Sequence, residues 1–72
     1  MVEKVKQFAE KQLKESEQFD KTSEEVLCSR GFAFGAVWFV SENSDFQTQQ
    51  ELSNWWNNEM RAKFEKLALD KR

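Results

Sequence analysis

Seventy-two residues with a formal net charge of −2 predict a single domain. The lone cysteine, Cys28, excludes an internal disulfide, and the lack of histidine removes the commonest metal ligand and the commonest general base at neutral pH. Apolar residues at 39 % and charged residues at 33 % exclude a disordered chain, and seven Phe with three Trp supply large apolar areas from few positions.

The first predicted element is a helix over about 2–18. Val2, Val5, Ala9, Leu13 and Ser16 recur at three- and four-residue spacing, with Phe8 and Phe19 at one margin. The other face pairs Lys and Glu at i,i+4, as in Glu10–Lys14 and Lys11–Glu15, which suits a solvated outer side. Phe19-Asp20-Lys21-Thr22 forms the first joint. Thr22-Ser23-Glu24-Glu25 matches a capping box, with a hydroxyl at the cap and a carboxylate three residues on.

The second element covers 23–42. Val26, Ala33, Val37 and Val40 make one face, Leu27, Phe34 and Trp38 a second, and Phe32, Ala36 and Phe39 a third. A helix that is apolar all round is a buried one, so this segment is expected at the centre. Phe32, Phe34, Ala36, Trp38 and Val40 also alternate at period two, which leaves a strand over Gly31–Val40 as the alternative. No other segment reads as a strand to pair with it, and helix is the reading adopted.

The second joint is Glu42-Asn43-Ser44-Asp45. Two capping boxes follow, Ser44…Gln47 and Thr48…Glu51, so the third helix starts at one of them, and Phe46 is either helical or a plug for the core. That helix extends over about 46–69. Its stripe is Leu52, Trp56, Met60, Phe64 and Leu67, with Trp55 and Ala68 at the edges. Short joints between helices favour antiparallel neighbours. The expectation is an all-α, three-helix antiparallel arrangement around a central apolar helix.

A domain this small buries only roughly 60% of the surface its unfolded chain exposes. Disulfide, metal or a partner chain usually completes such a core, and the partner is the option this composition leaves. Completion by dimerisation, or by a higher homo-oligomer, is therefore expected. Cys28, Gly31 and Gly35 form a small-residue strip opposite Val26, Ala33, Val37 and Val40. Gly31-x-x-x-Gly35 lets another backbone come close, either an outer helix of the same chain or a second copy. The interface candidates are Cys28, Gly31, Phe32, Gly35, Trp38, Phe39 and Trp55. Adjacent helical residues point about 100° apart, so Trp56 takes the core and Trp55 the margin, as a boundary residue or at an interface rim.

The chemistry-bearing patterns are sparse. Cys28 has no histidine to activate it, and the apolar residues around it predict an inert thiol. No catalytic residue, metal ligand set or cofactor is assigned. A small-ligand pocket lined by Phe34, Trp38, Trp55 and Trp56 is one alternative to a protein interface. Nucleic-acid binding through Arg61, Lys63, Lys66, Lys71 and Arg72 is another. Residues 61–72 sum to +3, but residues 22–60 sum to −5 and repel phosphate. The charged N-terminus is unlike a signal peptide, and the longest apolar run has ten residues where a membrane span needs about 20. The lone thiol fits a reducing cytoplasm. A non-enzymatic, self-associating protein-interaction module is the leading expectation. Small, aromatic-rich, helical accessory proteins of this length are typical of phage and mobile-element genomes, and an accessory role of that kind is part of the expectation.

Overall fold

The computed structural model describes residues 1–72 as three helices joined by two short turns, with no strand. Helix α1 spans Val2–Ser16 and α2 spans Ser23–Glu42. The third helix, α3, runs through 46–70 as an α-helical stretch Phe46–Trp55, a π-turn Trp56–Met60 and a second α-helical stretch Arg61–Asp70.

The ends of these helices follow from identifiable hydrogen bonds. The N–H groups of Glu17 and Gln18 donate to the Lys14 and Glu15 carbonyls, three residues back, which closes α1 two residues before the predicted 18. The predicted box at Thr22 forms: the Glu25 N–H donates to Thr22 Oγ1 at 3.2 Å and the Thr22 N–H to Glu25 Oε1 at 3.1 Å. That second bond, made to the charged carboxylate, holds Glu25 below the usual carboxylate range. Gly31–Val40 is helical throughout, which overturns the strand alternative. The two boxes predicted for α3 are also overturned. Asp45 is the cap, accepting the Thr48 N–H at 2.8 Å, while the Ser44 hydroxyl donates back to the Val40 carbonyl at 2.6 Å and closes α2 instead. Phe46 occupies the first helical position and is exposed, so it plugs nothing.

Ion pairs and terminal contacts fix the directions. Lys6 meets Glu51 at 3.3 Å, Arg30 meets Glu65 at 3.6 Å, and Lys71 donates to the Gln18 and Lys21 carbonyls. The helices therefore run up, down, up, and α2 packs on both α1 and α3 in a body of 38 × 18 × 15 Å. Along the α1–α2 seam the buried residues are small or β-branched: Val5, Ala9 and Ser16 face Ser23, Val26, Ala33 and Val37. Bulk comes from α3, through Leu52, Trp56, Met60 and Phe64. Trp56 stacks on Phe64 at 6.0 Å and meets Phe34 at 5.3 Å between ring centroids.

The π-turn has a packing cause. The buried residues of α3 are Leu52, Trp56, Met60, Phe64 and Ala68, each four after the last. An α-helix turns about 100° per residue, so every such step drifts by about 40°. Across the whole series the drift would carry Ala68 about 160° away from Leu52 and off the core. One extra residue in a single turn takes up most of that rotation, and the Arg61 N–H duly donates to the Trp56 carbonyl, five residues back. It also reverses the predicted edge: Ala68 is buried and Leu67 only half-buried.

Helix α2 departs most from expectation. Only Ser23, Val26, Ala33 and Val37 are buried in it. Both neighbours lie on one side, so the helix is not enclosed all round, and two of its three apolar faces stay largely in water. Phe19, predicted at the margin of the first stripe, is fully exposed in the joint. No helix is long and apolar enough to cross a membrane.

Candidate functional site

The outer face of α2 is the most unusual surface of this molecule. At about 100° per residue, Gly35 lies opposite the buried line Val26–Ala33–Val37. Cys28 and Gly31 sit beside it and all three are exposed. Phe32 and Phe39 rise on one flank of this strip, exposed by 69 % and 62 %; Trp38 and Phe34 rise on the other, exposed by 55 % and 47 %. The result is a floor of small residues between two aromatic walls.

The floor is open. A methyl group built on Gly31 or Gly35 would meet nothing within 4 Å. This overturns the reading in which the glycines seat another helix of the same chain. It also places Cys28 in solvent and not among apolar neighbours, as the sequence reading had assumed. Between Glu25 and Glu42 the only charge is Arg30, and it points to α3, where Glu65 Oε1 also accepts from Arg61 Nε at 3.0 Å. With aromatic side chains of roughly 150–250 Å² each, the four exposed rings leave roughly 350–600 Å² of apolar surface in water. Isolated exposed apolar residues are ordinary, whereas a contiguous patch of roughly 300–600 Å² matches the largest on a typical monomer, which is often functional.

Six of the seven interface candidates, Cys28, Gly31, Phe32, Gly35, Trp38 and Phe39, come together on this face. Trp55 does not. It is half-buried between α1 and α3, with the Lys6 ammonium 5.5 Å from its ring centroid, and it closes the edge of the core.

The pocket residues divide in the same way. Phe34, Trp38 and Trp56 line a depression of about 250 Å³ between α2 and α3, and Trp55 lies on the far side of α3. An adjoining cleft of about 340 Å³ shares Phe34, Trp56 and Asn57 and adds Arg30, Gly31 and Arg61. Arg30 and Asn57 carry no signal in the sequence. Their approach depends on which turn of α3 meets α2, and the π-turn sets that.

The basic residues are not gathered into one stripe. Arg61 opens toward α2, while Lys63 and Lys66 line the α1 side among Glu17, Glu59 and Asp70. Lys71 is occupied by the carbonyls of the first joint, and Arg72 is exposed at the end of the chain. No three thiol or carboxylate groups converge. Comparison with protein-family models, with curated proteins and with solved structures found no match to this chain, so its function is read from the α2 surface itself.

Proposed function

We propose that this chain is a non-catalytic protein-interaction module that works by covering the outer face of α2 with a protein surface. The observation that carries the reading is the uncharged strip from Cys28 to Phe39, walled by four exposed aromatic rings. Such a face gains free energy when it leaves water, at about 25 cal/mol per Å² of apolar area. Its lack of cations disfavours phosphate, whether in nucleic acid or on an anionic lipid surface. A reducing cytoplasm suits its lone thiol, and a phage or mobile-element accessory role suits its size.

A photo-crosslinking residue placed at Phe39 tests this in cells of the native host, with Asn58 on the far side of α3 as the control position. Crosslinks to protein from position 39 and not from position 58 are expected. Equal labelling, or none at 39, would reject the module reading.

One observation favours a second reading. The depression lined by Phe34, Trp38 and Trp56 continues into the cleft between Arg30 and Arg61, a combination suited to a small apolar anion. Titration with a panel of aromatic carboxylates would then shift tryptophan emission, and a flat response would remove it.

A further inference from the structure

The α2 face is self-complementary, and we infer that its occupant is a second copy of this chain, docked antiparallel with the two-fold axis at Gly35. The inference rests on the interaction reading above and adds the partner and its orientation.

Three observations converge. First, the face carries both knobs and holes. In an antiparallel pair centred on Gly35, each flank meets the same flank of the other copy, so a residue meets the same-flank partner position within one residue of its mirror about residue 35. Trp38 then falls against Gly31 of the other protomer, where the bare glycine leaves space. On the opposite flank, Phe32 falls against Phe39. Each contact occurs twice, as an isologous interface requires.

Second, charge selects the direction. Glu24 and Glu42 lie on the same line of the helix as the floor, at its two ends. A parallel pair would set each glutamate against its own copy and put like ends of the helix dipole side by side. The antiparallel pair sets Glu42 beside Cys28 of the other protomer and opposes the dipoles.

Third, the area fits a weak, transient pair. At roughly 350–600 Å² of exposed aromatic surface per copy, two copies remove at most roughly 700–1,200 Å² from water. That falls short of the roughly 1,200–2,000 Å² of a stable interface and within the range of transient ones, so the pair dissociates on dilution.

Cysteine crosslinking combined with mass measurement over a dilution series decides the matter. A disulfide needs its two Cα atoms within about 7 Å. With Glu42→Cys, the new thiol lies beside Cys28 of the other copy, and mild oxidation is expected to give a covalent dimer. Adding Cys28→Ser should abolish it, and the wild-type chain should not crosslink. Light scattering should show wild-type mass rising from one protomer to two with concentration. Gly31→Leu should remain one protomer throughout, while its helix becomes more stable because glycine is the poorer helix former. That gain in stability separates lost docking from lost folding.

A wild-type Cys28–Cys28 crosslink would overturn the antiparallel arrangement. A wild-type monomer at every concentration, or a Gly31→Leu dimer, would overturn the second copy as occupant. If position 39 still crosslinks to a different protein, the interaction reading stands and this inference alone falls.

Discussion

Deleting Asn58 should leave the fold standing, although it removes a residue from the interior of a helix. In an uninterrupted α-helix a one-residue deletion rotates everything beyond it by about 100° and draws it in by about 1.5 Å. For α3 that would swing Phe64 and Ala68, both buried, out of the core. The loss of a buried Phe costs about 3–5 kcal/mol. The whole domain, at roughly 0.05–0.15 kcal/mol per residue, holds only about 4–11 kcal/mol. Asn58 lies in the turn that already carries one residue too many. Its removal converts the π-turn to α, with Leu52 and Trp56 on one side and Phe64 and Ala68 on the other kept in place. The expected change is within about 1 kcal/mol, the scale of one hydrogen bond remade. Urea denaturation followed by far-ultraviolet circular dichroism measures it. Deleting Ser29 from the uninterrupted α2 is the control, since it turns Val26 away from Ala33 and Val37 and should unfold the chain. If the Asn58 deletion loses more than about 2 kcal/mol, the drift argument for the π-turn is wrong, because it requires the flanking packing to survive.

Gly35→Ala should stabilise the dilute protein by about 0.5–1 kcal/mol, since the added methyl meets nothing and the unfolded chain loses freedom. Any loss in urea denaturation would mean that the floor is already occupied within one chain. Glu25 and Asp45 are both held below the usual carboxylate range, chiefly by the cap hydrogen bonds of Thr22 and Thr48. Their folded values lie below their unfolded ones, so their contribution is present at neutral pH and is lost as pH falls through the folded values. Asp45→Asn keeps a capping oxygen without a titrating charge and should flatten that acid-side decline in thermal melts; an unchanged slope would exclude Asp45 as a source. Truncation after Asp70 removes the Lys71 bonds to the Gln18 and Lys21 carbonyls. Amide exchange at residues 18–22 should then quicken, and unaltered protection would show that the clasp holds nothing.

How much of this was legible in the sequence varied with the range of the interaction. The Thr22 cap is local: a hydroxyl and a carboxylate three residues apart suffice, and both bonds form. The α1 stripe was equally readable, because Val5, Ala9 and Ser16 follow one surface line. At the second joint three oxygen-bearing side chains competed for one helix start. Spacing ranked Ser44 and Thr48 first, but the Ser44 hydroxyl was drawn to the end of α2 and left the position to Asp45. The π-turn was encoded in the unbroken four-residue ladder from Leu52 to Ala68, a drift visible only when the angle is summed over the whole series. Burial of α2 was misjudged because periodicity reports which residues are apolar and not how many neighbours arrive. With two neighbours on one side, Phe32 and Trp38 were left outside. The pairing of Arg30 with Glu65 depends on tertiary register and has no local signature.

The three indoles occupy three separate compartments, and this gives the molecule its own set of optical reporters. Trp56 is packed against Phe64 in the interior, Trp55 sits under the Lys6 ammonium at the α1–α3 seam, and Trp38 stands in water on α2. Chains that retain one indole each, with Phe at the other two positions, would report core melting, seam opening and surface capture as distinct emission changes. A ligand, a partner and a denaturant are then told apart by which of the three chains changes its emission.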